Sequence, residues 1–146
     1  MLNWLKDLIA PVRVTDPELG PLRYYRDTGA WQGWMAFVPT NTQVEILLKG
    51  PQSGPTVGQR HILREISERY VALWPSLHFE LCGCNPSGGG RCAQRLILQS
   101  ISLSEMESGE AATWDMGYNV NTADELESFV IVHLQGWKPI CVSADD

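Results

Sequence analysis

The chain has no apolar run approaching the roughly 20 residues that a membrane-spanning helix needs. Its N-terminal stretch, Met1 to Ala10, carries Lys6 and Asp7 and stops at Pro11. It also lacks the basic leading region of a secretory signal. No membrane span is expected, and the expected location is cytoplasmic. An excess of positive charge is missing too. Eleven Lys and Arg stand against seventeen Asp and Glu, a net charge of -6, with an isoelectric point near 5.0. A nucleic-acid binder leaves the opposite footprint, a basic patch or stripe, so nucleic acid is not an expected partner. The chain lacks an HExxH helix, a G-x-S-x-G elbow, a Gly-Lys-Ser/Thr phosphate loop and any CxxC pair, so no familiar catalytic signature is present. Internal repeats and long linkers are missing as well, and 146 residues fit a single domain, 1–146.

What is there supports a packed core. Hydrophobic residues make up 44% and charged residues 19%, a balance that excludes wholesale disorder. The charge is unevenly placed. Residues 1–100 hold ten basic and eight acidic side chains, net +2, whereas residues 101–146 hold nine acidic side chains and only Lys138, net -8. An acidic third attracts a basic partner and repels polyanions; the simpler reading is a solvated acidic face that maintains solubility.

Along the chain, Leu2, Leu5, Leu8 and Ile9 recur at helical spacing and predict a short N-terminal helix over 1–10. Asp16 to Pro21 reads as a turn region. Leu22 to Arg26 and Trp31 to Val38 read as strands joined by the turn Asp27-Thr28-Gly29. Trp31, Gly33, Met35 and Phe37 fall on one face of the second strand, and Gln32, Trp34, Ala36 and Val38 on the other. Thr42 to Lys49 is a third strand, with Val44, Ile46 and Leu48 on one side.

Thr56 followed by Gln59 has the form of a capping box. The helix it opens is expected to end at Trp74 because Pro75 follows, with Ile62, Leu63, Ile66, Tyr70 and Leu73 as its apolar stripe. Residues 83–91 form a glycine-rich loop expected to be flexible. Arg95 to Glu105, with Ile97, Ile101 and Leu103 facing one way, reads as a strand. Thr113 to Val120 and Ser128 to Gln135 are further strands, and Trp137 to Val142 is a candidate for a last one. The fold class is α+β: an antiparallel sheet of two meanders, βββ-α-βββ, with one main helix packed on it.

The sharpest chemical constellation is His78, Cys82, Cys84 and Cys92, a set of soft ligands that zinc accepts. The C-x-C step departs from the usual zinc spacing, and reduced thiols beside a loop are the simpler reading. A redox pair of Cys84 and Cys92 is a further alternative. Cys141 could replace one ligand. No cofactor is required by any motif, and zinc is the one that the cysteines would admit. His133 shares a face with Phe129 and Ile131, which suits a hydrogen-bonded sheet histidine. Asp115 and Glu127 are a candidate carboxylate pair on adjacent strands.

The turn Asp16-Pro17-Glu18-Leu19-Gly20-x-Leu22, the hairpin Arg26-Asp27-x-Gly29-x-Trp31-x-Gly33 and the helix entry Gly54-Pro55-Thr56-x-x-Gln59-Arg60 resemble those of uncharacterised bacterial single-domain α+β proteins. These motifs are structural and cover about the first half of the chain. Some related small domains are thought to be immunity proteins of toxin systems, so the resemblance implies an immunity-type role.

Composition and missing motifs together lead to the expectation of a non-catalytic protein-binding domain. Its partner would be a basic protein met by an acidic C-terminal surface of Glu105, Glu107, Glu110, Asp115, Asp124, Glu125 and Glu127. The rival is a small enzyme or zinc/redox protein centred on His78, Cys82, Cys84 and Cys92.

Overall fold

Period-two alternation of apolar and polar residues builds four strands on each side of one long helix. The computed structural model describes residues 12–83, 95–105, 113–121 and 127–145, together with Leu5, which is helical. The expected helix over 1–10 otherwise lies outside the described residues, and so does the glycine-rich loop beyond Gly83. The elements are β1 (Val12–Asp16), β2 (Gly20–Tyr25), β3 (Ala30–Phe37), a 3-10 turn (Val38–Thr40), β4 (Thr42–Lys49), α1 (Val57–Gly83), β5 (Arg95–Leu103), β6 (Thr113–Asn121), β7 (Glu127–Gln135) and β8 (Lys138–Asp145).

All eight strands form one sheet in which spatial order equals chain order. Neighbours are antiparallel except β4 and β5, which are parallel. A parallel neighbour requires a crossover, and α1 supplies it. The expected βββ-α-βββ pattern is therefore corrected to four strands, helix, four strands. The added first strand is β1, whose alternation is only five residues long. It pairs with β2 through the turn after Asp16.

Every residue of the expected helical stripe is buried: Ile62, Leu63, Ile66, Tyr70 and Leu73. The helix does not stop at Pro75. It continues to Gly83 because Leu77 and Leu81 extend the same stripe into the core, and apolar burial there outweighs the interior proline's penalty of about 3 kcal/mol. Against the stripe lie Trp31, Phe37, Val44, Ile46, Leu48, Ile101, Leu103, Trp114, Met116, Tyr118, Val132 and Leu134, all in one buried cluster.

In β5 the facing differs from expectation. A bulge between Leu98 and Ser100 shifts the register, so Leu98 enters the core at 2% exposure. Ile97, expected to face with Ile101, instead pairs with Asn119 on the opposite side. One extra residue flips every side chain beyond it.

The capping box forms reciprocally. The Gln59 N–H donates to Thr56 Oγ1 at 3.1 Å, and the Thr56 N–H donates to Gln59 Oε1 at 3.0 Å. Gln59 is fully buried, and its Nε2 also donates to the carbonyls of Lys49 at 2.6 Å and Ser104 at 3.1 Å. One side chain thus ties the helix start to the residue ending β4 and to the residue just after β5, the two strands of the parallel junction. Beside it, Arg60 holds the buried Asp16 through Nε at 3.0 Å and Nη2 at 2.6 Å, and the N–H groups of Glu18 and Leu19 also donate to that carboxylate.

Candidate functional site

Helix α1 lies on one face of the sheet. Among the described residues no element packs on the other. Reading the registers across the sheet gives a continuous row on that open face: Arg13 opposite Arg23, Arg23 opposite Gln32, Gln32 opposite Leu47, Leu47 opposite Ser102, Ser102 opposite Asp115, Asp115 opposite His133 and His133 opposite Cys141. The row is basic at the β1–β2 end and carries a carboxylate and a histidine at the β6–β7 end. Because strands are arranged in chain order, the uneven charge of the sequence becomes an uneven charge in space.

At the basic end the open face holds a groove of about 550 Å³ lined by Arg13, Thr15, Pro21, Arg23, Gln32 and Trp34 together with the intervening Val14, Leu22 and Gly33. Trp34 is 56% exposed. The Arg23 guanidinium carbon sits 4.9 Å from the Tyr25 ring centroid, a cation–π geometry that holds the fork in place. Glu45, directly opposite Trp34 on β4, is engaged by the Gln32 amide.

At the other end three side chains from three adjacent strands meet. His133 Nδ1 lies 2.7 Å from Asp115 Oδ1, and its Nε2 lies 2.9 Å from Ser143 Oγ. Those contacts have the order of carboxylate, imidazole and hydroxyl found in acyl-transfer triads. The surroundings differ from such a site. The Ser143 contact is exposed, and none of the described cavities includes any of the three. The expected sheet histidine is therefore found, hydrogen-bonded on both ring nitrogens.

The candidate carboxylate pair is corrected: Asp115 faces His133, while Glu127 faces Asn121 at the far end of the same strand pair. Of the expected acidic surface, Glu105 is exposed just past β5 and Asp115 is half-buried on the open face. Glu127 begins β7, with its side chain outside the described residues. Glu107, Glu110, Asp124 and Glu125 also lie outside them.

Of the candidate metal ligands, His78 lies in α1 with its ring 5.6 Å from that of Trp74. Cys82 falls in the last turn of α1, with its side chain outside the described residues, as are Cys84 and Cys92. Among the described residues no three of His, Cys, Asp and Glu come together as a metal site. Cys141 is an exposed free thiol in β8.

Sequence reasoning missed the Arg13–Arg23–Trp34 groove and the Ser143 contact. The alternation of Arg13 between Val12 and Val14 was the available signal for the first. The second depends on registers across three strands, which leave no local trace. Two tyrosines are buried beneath the covered face: the hydroxyls of Tyr70 and Tyr118 are 3.0 Å apart. Burial pushes the Tyr118 hydroxyl far up, and the Tyr70 neighbour adds to this. Both stay neutral and act as packing, not chemistry. No described helix is long and apolar enough to cross a membrane. Comparisons with protein-family models, curated proteins and solved structures returned no match to this chain.

Proposed function

We propose that this chain is a non-catalytic protein-binding domain, of the immunity-inhibitor kind, that meets a basic protein partner through the open face and its acidic C-terminal side. The observation that carries the reading is the uncovered sheet face with Trp34 56% exposed upon it. A large, rigid aromatic in contact with solvent is the residue type that dominates binding energy at protein interfaces. Charge supports the choice of partner at the β6–β8 end of that face, away from Arg13 and Arg23: residues 101–146 carry a net -8 and contribute β6, β7 and β8, and opposite potentials steer association.

The test is capture of the partner from host lysate, followed by calorimetry on the purified pair. A stoichiometric basic partner is expected. Its affinity should fall at least about tenfold for Trp34→Ala and for the double reversal Glu105→Lys with Asp115→Lys, since a central aromatic or charge pair is commonly worth about 1–2 kcal/mol or more. Unchanged affinity in both variants sinks the proposal.

A second reading is favoured by one specific observation, the paired contacts of His133 at 2.7 and 2.9 Å. In it Ser143 is an acyl-accepting nucleophile, with His133 as base and Asp115 orienting the ring. Labelling by a fluorophosphonate that disappears in Ser143→Ala would establish it. An unlabelled wild-type protein leaves the contacts as a cross-strand polar ladder.

A further inference from the structure

Five of the described arginines fall into two groups. On α1, Arg60 pairs with Asp16 at 2.6 Å, Arg64 with Glu18 at 2.9 Å, and Arg69 reaches Glu65 at 3.9 Å. Arg13 and Arg23 have no carboxylate within ion-pair distance among the described residues, although they are directly opposite each other on β1 and β2. Like charges in that position repel and weaken a strand pair. The nearby acid, Glu45, is held by Gln32 instead. Within Arg23 the Nε atom is buried and has no hydrogen-bond partner among the described residues, an arrangement that is costly unless something accepts from it.

These features share one groove of about 550 Å³ with the exposed ring of Trp34. Two guanidinium forks are suited to an oxygen anion, which they bind by parallel charge-assisted hydrogen bonds. An indole face at the same groove is suited to a flat ring stacked against it.

We propose that the Arg13–Arg23–Trp34 groove binds a small organic anion, an oxyanion group carried on a flat ring. The anionic oxygens sit between the two guanidiniums and neutralise the opposed pair. The ring lies along Trp34. The site goes beyond the protein-binding reading and does not depend on it, since the probes are small molecules and no partner protein is needed.

Isothermal titration of the full chain with four probes tests it: adenosine monophosphate, benzoate, inorganic phosphate and adenosine. Saturable binding of adenosine monophosphate or benzoate is expected. The first source of anion, phosphate on a nucleoside, is distinguished from the second, carboxylate on a ring, by which of the two binds more tightly. Inorganic phosphate, without a ring, and adenosine, without an anion, should each bind at least roughly tenfold more weakly than the better of those two. Arg13→Gln should weaken binding by about tenfold or more. Because Arg13 is exposed, that variant keeps the fold even where Arg23→Gln does not. Raising the salt concentration should weaken binding, as expected for anion capture. The proposal is overturned if no probe saturates by about 10 mM, a weaker affinity than any such site should have. It is equally overturned if Arg13→Gln and Trp34→Ala both bind as the wild type does.

Discussion

Trp31 and Trp34 stand three positions apart in β3, and the sheet treats them in opposite ways. Trp31 is fully buried, whereas Trp34 is 56% exposed. The Trp31 indole N–H donates to the Pro51 carbonyl at 2.9 Å, and its ring packs at 5.0 Å from that of Tyr24. An odd spacing along a strand sends two side chains to opposite faces. The face under α1 is a buried layer of aliphatic and aromatic side chains. The open face carries arginines, a Gln–Glu contact and an Asp–His–Ser ladder. One face holds the fold together, and the other is left uncovered by the described residues.

That contrast can be broken by mutation. The largest effect should come from Trp31→Ala, which empties a fully buried site and leaves the Pro51 carbonyl with only the Gly54 N–H as donor. A loss of about 3–5 kcal/mol is expected, measured as a fall in the urea midpoint at constant slope. A loss below about 1 kcal/mol would mean that the covered face is packed far more loosely than described.

Gln59→Ala comes next. It removes the amide that serves the Lys49 and Ser104 carbonyls and the Thr56 N–H, at a cost of about 2 kcal/mol. Hydrogen exchange should show the added opening at the β4–β5 junction; an unchanged exchange pattern there would argue against Gln59 as the tie.

The third effect depends on pH. Burial alone would raise the Asp16 carboxyl, but the Arg60 hydrogen bonds, the N–H groups of Glu18 and Leu19 and the Arg60 charge together hold it below its ordinary value. A carboxyl with a depressed folded value contributes stability that is fully present above its unfolded value, near pH 4. That stability is lost as the pH falls through the folded value. Asp16→Asn should therefore be destabilised at neutral pH and show a shallower decline on acidification. Parallel acid unfolding curves for the two proteins would contradict this.

The smallest effect should be Trp34→Ala, within about 0.5 kcal/mol of wild type. Its consequence is expected in binding and not in folding. A loss comparable with that of Trp31→Ala would show that Trp34 is structural, and the comparison between the faces would collapse.

Much of the framework was legible in the residues themselves. Alternation placed Trp31 and Phe37 opposite Trp34, and Val44, Ile46 and Leu48 on the core side. The spacing of Thr56 and Gln59 announced a capping box, and Gly29 takes the left-handed conformation, φ +62°, that the turn reading required. The candidate site was largely hidden. Of the acidic residues expected to form it, Asp115 is committed to His133, and four lie outside the described residues. The cysteine–histidine set has only His78 with a described side chain.

The sequence by itself determined what depends on a residue and its near neighbours: the apolar stripe of α1, its cap, the turns and the facing of most strands. Tertiary structure decided the rest. Pro75 became an interior helical residue because Leu77 and Leu81 had core to fill. The bulge after Leu98 exchanged it for Ile97, and the parallel β4–β5 junction fixed which meander neighbours which. Arg13 met Arg23, and Asp115 met His133 and Ser143, only through strand register. Register follows from the hydrophobic patterns and turn geometry of the paired strands taken together, and no single strand's pattern carries it.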